Sequence, residues 1–185
     1  MPIREGAIEC AKKIKCVILD VDGVLTDGGV YVAPDGSELY KPFFARDGLV
    51  ISLAPRAALM TAIITGRSSA IVEHRSKELH IDLVYQGCRN KCTAYADIKA
   101  KTGLTDEEIA YIGDDIIDLP VMHMVGLPCA VGDAVPEVKD AAQIIANERG
   151  GHGAVREIYE IILKTQGRWD EILTAFQTNV DEVAQ

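Results

Sequence analysis

The run Val17-Ile18-Leu19-Asp20-Val21-Asp22-Gly23-Val24-Leu25-Thr26-Asp27 passes from an unbroken apolar segment to two carboxylates at i and i+2, followed by glycine. A short continuous apolar run of this kind reads as a central strand of a parallel sheet, buried on both faces. Open α/β sheets bind their ligands at the carboxyl ends of the strands. Asp20 and Asp22 therefore stand where a site belongs. Two carboxylates ~4 Å apart repel by about 4 kcal/mol at an effective dielectric of ~20. A divalent cation is the natural partner that offsets this. The stretch predicts a metal-assisted carboxylate site.

Outward from it, strands and helices alternate. A strand over 15–20 is followed by a β-hairpin over 30–44, with its turn at Asp35-Gly36. A helix over 47–53 is ended or kinked by Pro55. A strand over 59–65 runs into Thr65-Gly66-Arg67, and a helix over 68–79 starts at a Ser68 or Ser69 cap. Further strands are expected at 81–85, 109–113, 127–131 and 143–146. Helices are expected at 91–102, stopped by Gly103, and at 152–165, with a helical tail over 166–185. Thr105-Asp106-Glu107-Glu108 is a capping-box pattern. The alternation implies an α/β fold: one three-layer, Rossmann-like parallel sheet flanked by helices, as a single domain over 1–185.

The chain has 185 residues, enough for a full core, and its 48% hydrophobic and 25% charged content suit a globular protein. Its net charge of −9 and the lack of a long Lys/Arg run argue against a nucleic-acid partner. Lys12, Lys13 and Lys15 read as a solvated lead-in to the first strand. No apolar stretch approaches the ~20 residues of a membrane span. Residues 1–15 carry charges throughout, so no signal peptide is expected. The five cysteines form no C-x-x-C pair. Cys88 and Cys92 lack nearby histidines for a zinc site, and reduced thiols in a cytoplasm are the expectation.

Polar residues gather at the predicted strand ends and one helix start: Asp20 and Asp22, Thr65, Lys91, and Asp114 with Asp115 and Asp118. In a parallel sheet these ends share one side. Carboxylate oxygens suit Mg²⁺, and a lysine and a hydroxyl can bind phosphate oxygens. The set looks built for a phosphoryl group on a magnesium ion. Each element alone is weak, since D-x-D-G and Thr-Gly-Arg arise as ordinary turns. Their conjunction in this order carries the reading.

Asp20-x-Asp22-Gly-x-Leu-Thr-Asp27, Thr65-Gly-Arg67, Lys91 and Gly113-Asp-Asp115-x-x-Asp118 resemble, in order, the four motifs of the haloacid dehalogenase superfamily of phosphatases, over nearly the whole chain. The resemblance implies that Asp20 is the nucleophile. Asp22 would protonate the leaving alcohol and then activate water. Thr65 and Lys91 would hold the phosphoryl oxygens. Mg²⁺ would sit on the Asp20 carboxylate, the Asp22 backbone carbonyl and Asp114, with Asp115 nearby and Asp118 fixing Lys91 or its loop.

Neither 22–65 nor 65–91 leaves room for a cap domain. Phe44-Ala-Arg46-Asp47-Gly48, Tyr85-Gln-Gly87-x-x-Asn90-Lys91, Asp118-Leu-Pro120-Val121 and Gly150-Gly-His-Gly153-Ala-Val-Arg156-Glu157 are similar to a capless branch. That branch hydrolyses 3-deoxy-D-manno-octulosonate 8-phosphate (KDO 8-phosphate), in the lipopolysaccharide sugar pathway of Gram-negative bacteria. The resemblance implies a homotetramer built through the hairpin, and a segment at 150–156 that closes over a neighbouring active site. It also offers Gly66, Arg67, Arg46, Asn90, Arg75 and Arg156 as substrate-binding residues, since arginines meet a sugar carboxylate through bidentate pairs. For Arg75 and Arg156, on helices, a surface salt bridge is the plainer reading.

Alternatives stay open at this level. Phosphatases of nine-carbon sialic-acid-type 9-phosphates share the same core motifs. A phosphoryl transferase or a non-catalytic binding subunit could keep the fold. A signalling receiver domain also uses acids, a threonine and a lysine, but its accepting aspartate ends a middle strand, where this chain has Thr65 and Tyr85-Gln86.

Overall fold

The computed structural model describes residues 2–81 and 83–178. The chain opens with a helix, α1 (Ala7–Lys13), where a solvated lead-in was expected. Ala7 and Ala11, one turn apart, are its buried positions. The lysines do face outward, with Lys13 on Glu107 at 2.9 Å and Lys15 on Glu108 at 2.5 Å.

β1 (Cys16–Leu19) is the apolar run, buried along its length. The hairpin follows as β2 (Tyr31–Val32) and β3 (Glu38–Tyr40), an antiparallel pair forming its own two-stranded sheet. Gly36 takes the left-handed conformation its turn requires, at φ +83°. α2 (Ala45–Leu53) runs into a 3₁₀ turn, Ala54–Ala57, with Pro55 inside it, as expected of a proline that ends a helix.

β4 (Met60–Ile64) and α3 (Ala70–Glu78) come next, with Ser69 Oγ accepting from the Val72 amide as the N-cap. β5 (Leu83–Tyr85) precedes α4 (Lys91–Thr102), capped by Asn90 and stopped at Gly103, φ +70°. Thr105 and Glu108 do form the capping box, around a 3₁₀ turn. β6 (Ile109–Gly113), a 3₁₀ turn Ile116–Asp118 and α5 (Leu119–Met122) follow. The remaining elements are β7 (Leu127–Ala130), α6 (Pro136–Ala141), β8 (Ile144–Ile145), α7 (Ala154–Thr165) and α8 (Trp169–Thr178). The expected tail is thus helical over α8, and 179–185 lie outside the described residues.

The main sheet has six parallel strands in the order β5-β4-β1-β6-β7-β8. The chain leaves β1 in one direction to β4 and β5, then returns to β6 on its other side. That reversal creates the crevice where such sheets bind ligands. Register separates the two faces. Thr61, Val17 and Ala110 are neighbours on one face, where Tyr159 of α7 meets Thr61 at 2.8 Å. Ala62, Ile18 and Tyr111 are neighbours on the other, where Lys91 of α4 meets Tyr111 at 3.1 Å. Helices therefore cover both faces, and one continuous apolar core runs from Ala7 to Ile172. Between β1 and β4 lie only the hairpin, α2 and its 3₁₀ turn, so among the described residues no cap domain is inserted there.

Candidate active site

Asp20 is the first residue beyond β1, and its amide still pairs with Ile112 O at 3.2 Å. This last bond fixes the Asp20 backbone against β6. Only 3% of Asp20 is exposed. Its Oδ1 accepts from the Val21 amide at 2.7 Å, and its Oδ2 lies 3.0 Å from Lys91 Nζ. Lys91 is the first residue of α4. Asn90 Oδ1, accepting from the Cys92 amide at 3.1 Å, starts the helix there and aims Lys91 under the strand ends.

Lys91 Nζ also donates to Asp118 Oδ1 at 2.7 Å and to the Tyr111 hydroxyl at 3.1 Å. Tyr111 donates to the same Asp118 oxygen at 2.6 Å. Asp118 Oδ2 accepts from the amides of Asp114 at 3.0 Å and Asp115 at 3.3 Å. Both Asp118 oxygens are thus engaged by the protein. Burial alone would strip the Lys91 charge, but Asp20 and Asp118 outweigh it and hold its pKa above the ordinary lysine value.

One oxygen each of Asp20, Asp114 and Asp118 lie within 4.8 Å of one another. Asp118 takes two contacts on each oxygen, whereas Asp20 takes one on each, so Asp20 and Asp114 are the acids with lone pairs left for a cation. Asp114 Oδ1 is buried with no hydrogen-bond partner among the described residues. Burial and the neighbouring Asp20 and Asp118 push the Asp114 carboxyl up to about 8. Burial pushes Asp20 up to about 6, against the pull of Lys91. The acids are crowded beyond what one lysine balances, and an all-oxygen donor set of this kind suits a hard divalent cation. Gly23 makes room: at φ +89° it fits glycine, and a Cβ there would lie 2.0 Å from Asp114 Oδ2.

Asp20, Asp22, Thr65, Arg67, Asp114 and Asp115 line one hollow of about 250 Å³, with Gly66 on its wall. Thr65 is held by its amide on Tyr85 O at 2.9 Å and by the Cys88 amide on its own carbonyl at 3.0 Å. Asp115 caps the following 3₁₀ turn, accepting from the Ile116 amide at 2.7 Å. A larger hollow, about 510 Å³, lies at the opposite end of the sheet among Lys12, Lys15, Thr105 and Arg168. None of Asp20, Asp22, Asp114, Asp115 and Asp118 lines it.

Three of the expected sugar-binding arginines lie elsewhere in this chain. Arg75 pairs with Glu78 at 2.7 Å and stacks over Phe43. Arg156 pairs with Glu160 and lies over the Trp169 ring. Arg46 stacks on Phe44 and shares with Arg156 a separate hollow. Arg75 and Arg156 have intrahelical partners and all three lie against aromatic faces, while Arg75 Nε is buried with no hydrogen-bond partner among the described residues. Asn90 acts as the helix cap.

The 150–156 segment is seated on its own chain. Gly151 N donates to Val24 O at 2.9 Å, Gly150 N to Asp133 Oδ1 at 2.9 Å, and the Arg156 amide to Asp47 Oδ1 at 2.7 Å. It braces the turn after Asp22, and a Cβ on Gly150 would lie 1.7 Å from Gly23 O.

Two residues of the site escaped sequence reasoning. Tyr111 is the one hydroxyl in an otherwise aliphatic strand, a weak signal. Lys41, after β3, reaches back to pair with Asp22. Its sequence neighbours read only as hairpin.

The profile of the haloacid dehalogenase-like hydrolases matches residues 58–158. The chain belongs to that family. Among relatives of this hydrolase, the Escherichia coli (strain K12) 3-deoxy-D-manno-octulosonate 8-phosphate phosphatase is 45% identical over 170 residues, covering 92% of this chain and 90% of that protein. The crystal structure of the phosphatase of the same name from Yersinia pestis is 42% identical, with a TM-score of 0.87 over 90% of the hydrolase and 89% of that chain. The one from Moraxella catarrhalis, in complex with magnesium ion, phosphate ion and KDO, is 38% identical. Its TM-score is 0.89, over 92% of the hydrolase and 98% of that chain.

Proposed function

We propose that this hydrolase is a magnesium-dependent phosphomonoesterase that converts KDO 8-phosphate to KDO and inorganic phosphate through an aspartyl phosphate on Asp20. What supports the reading most is the buried Asp20–Lys91 contact beside the partnerless Asp114 oxygen, in a chain 45% identical to a phosphatase of that substrate. Phosphate monoesters are among the slowest-hydrolysing substrates, calling for up to ~10²¹-fold acceleration. A covalent intermediate divides that barrier.

In this scheme Asp20 attacks phosphorus while Lys91 and Thr65 hold the phosphoryl oxygens. Asp22 gives its proton to the departing C8 oxygen of the sugar. It then takes a proton from the water that hydrolyses the aspartyl phosphate. Asp20, Asp114 and the Asp22 carbonyl would hold magnesium, which when bound offsets the repulsion between the carboxylate and the phosphoryl dianion. Asp118 and Tyr111 hold Lys91 in place.

The hollow of about 250 Å³ falls below the ~300–1,000 Å³ of typical ligand sites. It accommodates the phosphoryl group and leaves the sugar short of walls. Val30, Val32, Leu39 and Tyr40 of the hairpin are exposed, an apolar surface that calls for cover. Assembly of a homotetramer through the hairpin would supply both the cover and the missing walls, and would offer Arg46 and Arg156 a route to a neighbour's substrate. We read 1–185 as one catalytic domain. The five free cysteines suit a reducing cytoplasm.

The deciding experiment compares kcat/KM for KDO 8-phosphate and for a nine-carbon sialic-acid-type 9-phosphate in the presence of Mg²⁺. The expected preference for KDO 8-phosphate is about tenfold or more. Preference for the nine-carbon acid would overturn the substrate and keep the chemistry. No phosphate from either would overturn both.

A further inference from the structure

Lys41 leaves β3 in a hairpin whose outer positions are exposed, yet its side chain is only 3% exposed. A buried ammonium is retained where it is paired. Lys41 Nζ donates to Asp22 Oδ1 and lies 3.3 Å from Glu38 Oε1. Glu38 Oε2 accepts in turn from Ser69 Oγ, the N-cap of α3. The Ser69 amide donates to Gln86 Oε1 at 2.7 Å. A chain of polar contacts thus runs from Asp22 through the hairpin to the loops that carry Thr65 and Gln86. Among the described residues, the other cation paired with Asp22 is Arg67. Its Nε stands 3.8 Å from Oδ2, beyond hydrogen-bond distance, on a side chain that is half exposed.

We propose that Lys41 is a positioning residue. It fixes the Asp22 carboxylate through Oδ1 and leaves Oδ2 to act as the base on water in the second half of the reaction. The proposal rests on the phosphatase reading above. In that step the water oxygen bonds to phosphorus as one of its protons passes to Asp22 Oδ2. The bond between phosphorus and the Asp20 oxygen breaks, and its electron pair restores the Asp20 carboxylate. An ammonium donor matches the ionised carboxylate, the form that accepts a proton. Because the hairpin carries Lys41, the placement of the hairpin also sets the placement of Asp22.

The test uses the full chain with Mg²⁺ and two substrates, KDO 8-phosphate and p-nitrophenyl phosphate. For p-nitrophenyl phosphate, kcat/KM reports only the steps up to aspartyl-phosphate formation, while kcat includes its hydrolysis. Lys41→Met is expected to lower kcat roughly 10- to 100-fold on both substrates, part of the ~10²- to 10⁴-fold that a placed general base supplies, because the Asp22 carboxylate stays but loses its anchor. Its kcat/KM for p-nitrophenyl phosphate should stay within about threefold of wild type. Acid-quenched Lys41→Met should carry phosphate on Asp20, and Lys41→Arg should restore most of kcat.

A raised KM for KDO 8-phosphate with unchanged kcat would overturn the proposal and make Lys41 a substrate contact. Equal losses of kcat and kcat/KM on p-nitrophenyl phosphate, or Lys41→Arg as impaired as Lys41→Met, would reduce Lys41 to a structural pair. A wild-type protein inactive on both substrates would overturn the phosphatase reading first, and this proposal with it.

Discussion

Asp118 receives the Lys91 ammonium at 2.7 Å on an oxygen that Tyr111 also engages, so the lysine facing Asp20 is held from behind. Asp118 in turn holds the amides of Asp114 and Asp115 with its other oxygen. One fully buried carboxylate therefore orients the cation, and the backbone of the acid proposed to bind metal.

Asp118→Asn keeps the shape and loses the charge. It turns an amide N–H toward either the Lys91 ammonium or the Asp114 and Asp115 amides, so donors face donors. Breaking a buried pair costs about 3–5 kcal/mol, and here Asp20 still partners Lys91. Urea unfolding should show a loss of about 2–4 kcal/mol, with a large fall in kcat. A variant as stable and as active as wild type would refute this role for Asp118.

Tyr111→Phe removes only the hydroxyl. The expected cost is about 1.5–3 kcal/mol in urea unfolding, the worth of a hydrogen bond to a charged group. Lys91 keeps both carboxylates, so kcat should fall far less than in Asp118→Asn. A Tyr111→Phe variant as inactive as Asp118→Asn would mean that the hydroxyl acts directly on substrate.

The crowding of Asp20, Asp114 and Asp118 predicts that Mg²⁺ stabilises the fold. At ~100 Kd of ligand the gain is about 2.7 kcal/mol, read as a rise in Tm that EDTA reverses together with activity. Asp114→Asn should abolish the rise. Relieved of one repelling charge, it should also be more stable than metal-free wild type, by about 1–2 kcal/mol. Gly23→Ala, whose methyl group meets Asp114, should need more Mg²⁺ for half-maximal activity. Equal Tm with and without Mg²⁺ would contradict the proposed metal set.

Asp47 is buried between α2 and α7, with its Oδ2 accepting from the Gly153 amide at 3.2 Å. Burial raises its pKa above the ordinary Asp value, although the Arg156 and Gly153 amides oppose the shift. A carboxyl whose folded pKa is raised favours the fold while protonated, and that advantage is lost as pH rises through the folded value. Relative to Asp47→Asn, wild type should lose stability from about pH 4 upward. Urea unfolding of both proteins across that range checks it, and a constant difference would contradict it.

Much of this site is legible in the amino-acid sequence. A buried parallel strand must be continuously apolar and must stop where polar groups begin, so Leu19-Asp20 and Gly113-Asp114 mark strand ends by composition alone. Asn90 and Gly103 bracket α4 with cap chemistry, which puts Lys91 at a helix start. What escaped had no periodic signal. α1 buries two alanines, and small residues leave no apolar stripe. Tyr111 hides inside an aliphatic run. Lys41 lies in a hairpin whose alternation says nothing about a side chain folding back to Asp22. Arg46, Arg75 and Arg156 carry the chemistry to bind a sugar acid, but spacing cannot show that Phe44, Glu78 and Glu160 already engage them.

The most direct measurement is Mg²⁺-dependent phosphate release from KDO 8-phosphate by wild type and Asp20→Asn, with acid-quench trapping of the enzyme during turnover. The account predicts release by wild type, phosphate trapped on the peptide that contains Asp20, and neither signal in Asp20→Asn. Release by Asp20→Asn at the wild-type rate, or phosphate trapped on another residue, would contradict it.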